Sequence, residues 1–387
     1  MKSVIIVGGQ DEIYENINLR EYNVISIQLE TNIGINAAEY CVEVIPVSEF
    51  TVQEVERATQ IAIDKYPISA MFGFAEFTIL PTVEVAEKLN IPSLDKRVSE
   101  LCRIKPKLRK FLENSSFHVP FVEFYCVNEA KLFAEQYGYP LVIKETMGAG
   151  SSNVSVCHDL DQLVQASQSL LSEFGVALLE TYCGGDEYSV ETLTLNGKHC
   201  ILGITEKFLI PGTVVEDSHI FPAPVCEKTK CRIEHAAIEL LSALDHGHGP
   251  MHIEFKVEGD DVRLIEVNNR GGGDYIWEMV LTATGVNLIE NTVRGFFDRS
   301  IKLQNYQPKS SLAYISLYGN LNIVLLKEQL SHLVDILRFQ FNHDDFERSI
   351  NNSTDRPGFC LLKRNLQQGH IADCMEDINS IINKNYF

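Results

Sequence analysis

The sequence predicts an α/β protein whose later part adds antiparallel strands, and three features support this prediction. Short apolar runs alternate with helical stretches over the first hundred residues. A hairpin pattern spans residues 252–268, and strand-like runs follow residue 308. Alternating strands and helices favour a parallel sheet, whereas two runs joined by a short turn favour an antiparallel pair.

The first hundred residues are predicted to form the parallel layer. Buried runs with β-branched residues predict strands at 3–7, 24–29, 41–46 and 70–74. Helical periodicity predicts helices at 51–65 and 80–89. Gly8 and Gly9 turn the first strand, but a GxGxxG motif is absent, so a dinucleotide site is not expected here.

Strands and helices continue to alternate along the rest of the chain. A basic, mostly helical segment is predicted at 99–113, and strands and helices with glycine-rich turns follow over 120–300. A strand is predicted at 311–318 and a final helix at 371–383.

Composition narrows the functional classes. The chain has 387 residues, 45% of them hydrophobic, and a net charge of −20, which argues against nucleic-acid or acidic-membrane partners. Residues 4–7 form too short an apolar run for a signal peptide, and no run approaches the roughly 20 residues that span a bilayer. We therefore expect a cytoplasmic protein. Its ten cysteines contain no CxxC pair and are expected to be free thiols.

A glycine-rich loop follows a short strand that ends in Lys144. The loop contains Gly148, Gly150, Ser151 and Ser152, small residues whose backbone N–H groups can line a phosphate chain. The lysine would place a point charge on a phosphate oxygen. The alternative is an ordinary β-hairpin with a Gly/Ser tip, and the GxxxxGK[ST] pattern of a P-loop is absent.

An acidic connector joins two predicted strands over residues 176–191. A connecting segment exposes backbone groups that could bind the edge of an adenine ring, and Glu187 could accept the two ribose hydroxyls. A surface turn with solvated acids is the alternative.

The hairpin at 252–268 carries the strongest physical argument. A three-residue turn at 259–261 places Glu254 opposite Glu266 on one face, with His252 opposite Asn268. The same register pairs Phe255 with Ile265 on the apolar face. Like charges directly opposite destabilise a sheet, so the two carboxylates are expected to share a divalent cation or a proton. Oxygen ligands favour magnesium. A solvent-facing strand that tolerates the repulsion is the alternative.

Arg270 and three glycines at 271–273 follow this hairpin. An arginine two residues beyond Asn268 could bind a carboxylate or a developing oxyanion, and the glycines would let backbone approach a ligand. A flexible loop with an exposed arginine is the alternative.

In this order and spacing, these motifs resemble the ATP-grasp superfamily over roughly residues 1–300. The resemblance implies that Lys105 is the first nucleotide-binding lysine, that Arg109 is the arginine near it, and that Lys144 is the second lysine, which binds the ATP phosphates. It implies that the mobile phosphate-covering loop contains Gly148, Gly150, Ser151 and Ser152, that the adenine-binding connector contains Glu180, Tyr182 and Cys183, and that Glu187 binds the ribose. It also implies that magnesium is bound by Glu254, Glu266 and Asn268, and that the reaction intermediate is stabilised by Arg270 together with Gly150 and Ser151. Two residues depart from the family pattern, Glu145 where proline is common and Asn153 where glycine is common. Asn tolerates a positive φ, so we expect the loop to keep its shape.

The resemblance also implies a domain arrangement. It predicts a Rossmann-like N-terminal domain over 1–98, a lid over 99–180, a larger antiparallel-sheet domain with the magnesium site over 181–305, and a C-terminal α+β part over 306–387. ATP would lie between the lid and the larger domain.

Residues 185–191 and the segment that starts at His219 are similar to the L-amino-acid ligases. This likeness implies an ATP-dependent ligase that joins a carboxylate to an amine through an acyl phosphate, with two Mg²⁺ ions, for which Mn²⁺ can substitute. Lys207, His219, Gly273 and Trp277 are then candidate substrate residues. A homodimer is expected by analogy. The alternatives are a bicarbonate-using carboxylase and a non-catalytic nucleotide-binding protein.

Overall fold

Three sheets organise the chain. The computed structural model describes residues 1–304, 306–342, 350 and 352–386. Within these residues, four strands form a parallel sheet, four more form a small antiparallel sheet, and eight form a large antiparallel sheet.

The N-terminal sheet is parallel, as predicted, with strand order β3-β2-β1-β4. Its strands are β1 (Lys2–Val7), β2 (Tyr22–Leu29), β3 (Glu43–Val47) and β4 (Ile68–Gly73). Its helices are α1 (Glu12–Asn16), α2 (Ile35–Tyr40), α3 (Val52–Lys65) and α4 (Ile79–Lys88). Both faces of β1 are buried, because Ile5 and Ile6 pack into cores on opposite sides of the sheet. This arrangement explains the continuous apolar run in the sequence.

The predicted helical segment at 99–113 consists of two helices, α5 (Lys96–Arg103) and α6 (Lys105–Phe111). The break falls at Ile104, two residues before Pro106. Proline has no N–H to continue the hydrogen-bond ladder of α5, but it is well tolerated in the first turn of a helix. The break therefore places Lys105 at the beginning of α6.

The small sheet has strand order β5-β8-β6-β7. Its strands are β5 (Phe121–Phe124), β6 (Leu141–Lys144), β7 (Ser155–Cys157) and β8 (Ala177–Thr181), and its helices are α7 (Val127–Tyr137) and α8 (Leu160–Phe174). The two helices pack on one face of this sheet around Phe124, Phe133 and Leu163.

The large sheet has strand order β13-β12-β9-β10-β11-β14-β16-β15. Its strands are β9 (Asp186–Leu195), β10 (Lys198–Leu209), β11 (Glu216–Phe221), β12 (Gly249–Glu258), β13 (Asp261–Asn268), β14 (Ser310–Leu317), β15 (Asp335–Phe341) and β16 (Gly358–Asn365). The remaining helices are α9 (Glu227–Ala243), α10 (Ile276–Thr284), α11 (Leu288–Phe297), α12 (Ile323–Ser331) and α13 (Met375–Lys384).

The C-terminal strands continue the large sheet, because β14 pairs with β11 and β16 pairs with β14. The strand predicted at 311–318 is confirmed, and the predicted final helix begins with a 3₁₀ turn at Ile371–Cys374 before α13. The four domain boundaries remain a prediction. In the described part of the chain, no helix is long and apolar enough to cross a membrane.

Candidate functional site

A cavity of about 270 Å³ lies between the small sheet and the large sheet. Apolar side chains form its two walls, with Val142 and Val156 on the small sheet and Leu209 and Ile265 on the large sheet. The structure brings most of the predicted site residues to this cavity. Those that line it are Lys105, Arg109, Lys144, Gly148, Gly150, Ser151, Ser152, Glu180, Tyr182, Cys183, Glu187, Lys207, His219, Glu254, Glu266, Asn268, Arg270 and Gly273.

The hairpin of β12 and β13 sets two glutamates face to face on the cavity side. Glu254 pairs with Glu266, and His252 pairs with Asn268, as predicted. Side chains of directly paired residues lie on the same face of a sheet. Both carboxylates therefore point to one side of the sheet.

The turn and the strand pairing that produce this register differ from the prediction. The turn contains two residues rather than three, and Phe255 pairs with Leu264, so the predicted pairing of Phe255 with Ile265 is wrong. Gly259 opens the turn with φ of 60°, a conformation that suits glycine at the first position of a two-residue turn. A β-bulge at Ile265 adds one residue to β13, which restores the predicted register at Glu254.

Protein cations flank both glutamates. Glu254 Oε1 lies 2.7 Å from Lys207 Nζ and 2.9 Å from His252 Nε2, and Glu266 Oε1 lies 3.1 Å from Lys105 Nζ. Burial would raise the pKa of Glu254, but Lys207 and His252 hold it well below its usual range. These cations offset the repulsion between the two carboxylates, for which the sequence had suggested a divalent cation or a shared proton.

Lys207 lies among three carboxylates. Its Nζ is 2.7 Å from Glu254, 3.2 Å from Glu216 and 3.4 Å from Glu187. Burial would lower the pKa of this lysine, yet the three acids raise it well above its usual value. Lys207 therefore carries a positive charge beside the glutamate pair.

Asn268 presents an unpaired acceptor next to the two glutamates. Its Oδ1 is buried and receives no hydrogen bond from the described residues. A buried amide oxygen without a donor is costly, and a cation could satisfy it. Among the described residues, no group of three or more His, Cys, Asp or Glu side chains could hold a metal. The three oxygen donors therefore fit magnesium only together with a ligand that brings further oxygens, such as a nucleotide phosphate.

Glu180, predicted at the adenine connector, lies at the centre of a buried ion-pair network. Its carboxylate accepts from Arg109 Nε at 2.6 Å and lies 2.7 Å from Lys144 Nζ. Burial would raise the pKa of Glu180, but the charges of Arg109 and Lys144 outweigh this effect and hold it at about 2. Burial lowers the pKa of Lys144, and Glu180 opposes that shift only in part.

Arg109 also holds the β-bulge of the hairpin. Its Nη1 donates to the Leu264 carbonyl at 3.1 Å, and its Nη2 donates to the Ile265 carbonyl at 2.8 Å. A bulge leaves backbone groups outside the regular ladder, so these hydrogen bonds satisfy acceptors that would otherwise be unpaired. The arginine thus links the small sheet, through Glu180, to the strand that carries Glu266.

The glycine-rich loop, residues 145–154, joins β6 to β7 and covers one side of the cavity. Gly150, Ser151 and Asn153 have φ of 62°, 58° and 56°. Asn153 thus adopts the left-handed conformation that was predicted to let it replace glycine. The Gly148 carbonyl accepts from Lys105 Nζ at 2.6 Å, which anchors the loop to α6.

Arg270 is held by an acid that sequence reasoning missed. Its Nε donates to Glu76, and its Nη1 donates to the Gly271 carbonyl at 2.8 Å. Glu76 follows β4 and also pairs with Arg103, whose Nη2 donates to the Met147 carbonyl at 2.9 Å. Ligands often bind beyond the carboxyl ends of parallel strands, which is a signal that could have identified Glu76.

The candidate substrate residues are separated by the fold. Lys207, His219 and Gly273 line the cavity, but Trp277 lies at a second cavity of about 40 Å³. The Trp277 Nε1 donates to Gln10 Oε1 at 3.2 Å, so the indole faces the N-terminal sheet. Sequence reasoning also missed Glu216, Asp274 and Ser353 in the cavity wall. Ser353 lies 80 residues beyond Gly273, and no local pattern marks it.

Comparison with known proteins identifies one domain family. Residues 137–278 match the ATP-grasp domain. The chain is 27% identical over 256 residues to the uncharacterized protein y4rH of Sinorhizobium fredii. The alignment covers 64% of this chain and 53% of that protein. The chain therefore spans about half the length of this curated relative.

Two solved structures share the fold. The L-amino acid ligase from Bacillus licheniformis superposes with a TM-score of 0.84 at 21% identity and covers 100% of this chain and 98% of its own. A biotin carboxylase complex from Campylobacter jejuni superposes with a TM-score of 0.71 at 17% identity. The superposition covers 94% of this chain and 87% of the carboxylase chain. These findings confirm the predicted fold class, with its parallel N-terminal sheet, small antiparallel sheet and large antiparallel sheet.

Proposed function

We propose that this chain, an ATP-grasp domain protein, is an ATP-dependent ligase that joins a carboxylate, such as that of an amino acid, to an amine. One observation carries the proposal most directly. Two opposed glutamates, an unpaired asparagine oxygen and several cations, among them Lys105, Lys144 and Arg270, line the same cavity. This set can neutralise a polyphosphate and an acyl phosphate at the same place.

The adenine and ribose would lie between the two sheets. Val142 and Ile265 offer apolar faces on opposite walls. The segment of Tyr182 and Cys183 also lines the cavity and offers backbone hydrogen-bonding groups, although the Tyr182 N–H donates to the Pro140 carbonyl at 3.4 Å. Glu187 would accept the ribose hydroxyls. That carboxylate lies 3.0 Å from Lys256, which keeps a positive charge beside it.

Lys105 and Lys144 would hold the phosphates. Each is paired with a glutamate, Lys105 with Glu266 and Lys144 with Glu180, so each cation is positioned before a ligand arrives. Glu254, Glu266 and Asn268 would hold magnesium, which when bound supplies positive charge against the phosphate oxygens.

The reaction needs positioning more than covalent chemistry. A substrate carboxylate oxygen attacks the γ-phosphorus, the bond from that phosphorus to ADP breaks, and an acyl phosphate forms. The amine then attacks the acyl carbon, inorganic phosphate leaves, and the amine loses a proton. Among the described residues, Arg270 Nη2 has no acceptor, so this group is available for the carboxylate and for the oxyanion of the tetrahedral intermediate.

The glycine-rich loop would exclude water from the acyl phosphate. Water competes with the amine for this intermediate, so the loop must stay closed between the two steps. Anchoring of Gly148 by Lys105 supports this role, because a lysine proposed to bind phosphate also contacts the loop.

A matrix of amino acids and small carboxylates, scored by phosphate release and by mass spectrometry of the products, tests the proposal. Phosphate release that depends on both an acid and an amine, with an amide of the summed mass less water, is the expected result. A carboxylase is the second candidate, since a biotin carboxylase shares the fold. Release that depends on bicarbonate and on no amino acid would favour it. Tight ATP binding without ADP production in the whole matrix would favour a non-catalytic protein.

A further inference from the structure

A short segment of the C-terminal part, residues 352–356, reaches into the wall of the cavity. Asn352 Oδ1 accepts from the Thr354 N–H at 2.9 Å, and Asp355 Oδ2 accepts from the Asn352 N–H at 3.1 Å. These two hydrogen bonds close a 3₁₀ turn over Ser353–Asp355. The turn directs Ser353 toward the glycine-rich loop, and Arg356 follows it.

Arg356 binds Asp274 through a bidentate ion pair. Its Nη1 and Nη2 lie 2.8 Å and 2.5 Å from the two carboxylate oxygens, and its side chain is 6% exposed. Nη1 also donates to the Glu216 carbonyl at 3.2 Å, and Nε donates to the Ser353 carbonyl at 2.6 Å. The guanidinium therefore joins three separate segments with fixed geometry.

Asp274 lies in a strained part of the loop that carries Arg270. Asp274 and Tyr275 have φ of 47° and 59°, in the left-handed region that residues other than glycine seldom adopt. His219 Nε2 contacts the same carboxylate at 3.0 Å. Such a conformation persists only when its surroundings hold it, and here Arg356 and His219 do so. Gly273, immediately before Asp274, lines the cavity.

Ser353 contacts the glycine-rich loop from the other side. Its N–H donates to the Gly150 carbonyl at 3.1 Å. A Cβ at position 150 would lie 2.6 Å from Ser353 Oγ, so the two residues are in close contact. One segment therefore binds both the loop proposed to exclude water and the loop that carries Arg270.

We propose that Arg356 is a positioning residue for the ligase reaction, which fixes the Arg270 loop through Asp274 and holds the glycine-rich loop closed through Ser353. This inference rests on the proposed function and extends it to a segment outside the matched ATP-grasp region. Arg356 acts through its neighbours, since Asp274 and Ser353 line the cavity and Arg356 does not. Its loss should open the loop and let water reach the acyl phosphate.

We call this positioning of the two loops by Arg356 the clamp. Hydrogen–deuterium exchange of the full chain tests it without requiring turnover. Peptides covering 145–154 are followed with and without the Mg²⁺ complex of a non-hydrolysable ATP analogue in wild type, Arg356→Met and Arg364→Met. Arg364 is the control, because it donates to the carbonyls of His370 and Gln368 and does not line the cavity. We expect nucleotide-dependent protection of the loop in wild type and Arg364→Met, and at least an approximately fivefold loss of that protection in Arg356→Met.

The outcomes separate the two proposals. Equal protection in Arg356→Met and wild type overturns the clamp and leaves the proposed function standing. No protection in wild type overturns both. If Arg356→Met does not fold, Arg356→Lys is measured instead, since lysine keeps the charge but cannot form the bidentate pair. Lost protection in that variant supports the clamp, and full protection overturns it.

Once an acid and an amine are known, the coupling of ADP release to amide formation gives a second test. Wild type should release one ADP for each amide. Arg356→Met should release at least about twofold more ADP than amide, because water captures the intermediate. A merely structural loss would lower both rates equally, and that result would overturn the inference.

Discussion

Glu254 on β12 lies directly opposite Glu266 on β13, and a bulge whose carbonyls accept from Arg109 maintains that register. Two acids are thereby held on one face of the sheet, each with a protein cation at its side. A shift of one residue would turn one of them to the other face. The register is therefore the structural basis of the proposed magnesium site.

Glu266→Gln should abolish ADP formation with the fold retained. The change removes one negative ligand from the proposed magnesium site, whose charge stabilisation is worth several kcal/mol, so a loss of at least about 100-fold is expected. ADP release measures the effect, and circular dichroism checks the fold. Glu258→Gln is the control, because Glu258 is an exposed residue at the turn end of the same hairpin. Similar rates in the two variants would contradict the assignment.

Arg270→Ala should lower kcat by about 10²–10³-fold, because a group that stabilises developing negative charge typically contributes that much. The KM for ATP should change little, since lysines hold the phosphates in this account. Steady-state kinetics with saturating amine measures both constants. Arg263→Ala on β13 is the matched control, because Arg263 is half exposed and, within the described part of the chain, forms its ion pair with the exposed Asp261. A raised KM with an unchanged kcat would assign Arg270 to substrate binding alone.

Glu180→Gln should destabilise the fold by about 3–5 kcal/mol, because it leaves the buried Arg109 and Lys144 without their counter-charge. Urea unfolding measures the free energy. Glu113→Gln, at an exposed pair with Lys110, is the control and should leave the midpoint unchanged.

Wild type and Glu180→Gln together also test how the stability contributed by Glu180 depends on pH. The pKa of Glu180 is lowered from 4.5 to about 2, so its ionised form stabilises the fold above pH 4.5 and that contribution is lost as pH falls through about 2. The difference in unfolding free energy between wild type and Glu180→Gln should therefore be constant above pH 4.5 and shrink below it. A difference that grows on acidification would contradict the ion-pair assignment.

Gly150→Ala should impair the glycine-rich loop more than Gly138→Ala impairs its own helix end. Both glycines have a positive φ, of 62° and 74°, so both changes cost backbone energy of about 1–3 kcal/mol. Only position 150 would also place a Cβ against Ser353, while nothing lies within 4 Å of position 138. We expect at least about tenfold lower turnover in Gly150→Ala and wild-type turnover in Gly138→Ala. Equal turnover would show that the Ser353 contact is unimportant.

Local patterns in the sequence predicted much of the fold. The parallel sheet follows from alternating buried runs and helices, and the Glu254–Glu266 pairing follows from the period of two along each strand. The prediction of the hairpin was right at the glutamates although the turn was wrong, because the bulge at Ile265 compensates for the shorter turn. A bulge depends on tertiary hydrogen bonds such as those of Arg109, which no local pattern records.

The ion-pair partners could not be predicted for the same reason. Glu76 meets Arg270 across 194 residues of sequence, and Asp274 meets Arg356 across 82. Trp277 closely follows the three glycines at 271–273 in sequence, but α10 turns its indole toward Gln10 and away from the cavity. Side-chain direction along a new helix depends on packing with other elements, so proximity in sequence was a poor guide.

Transfer of ¹⁸O from the substrate carboxylate to phosphate shows whether an acyl phosphate forms. An amino-acid substrate found in the matrix assay is labelled with ¹⁸O in its carboxylate and turned over with ATP and the amine, and the released phosphate is analysed by mass spectrometry. An acyl phosphate requires one carboxylate oxygen to leave with the phosphate, so we expect one ¹⁸O atom in each phosphate formed. Phosphate that carries no ¹⁸O while amide accumulates would contradict the acyl-phosphate mechanism.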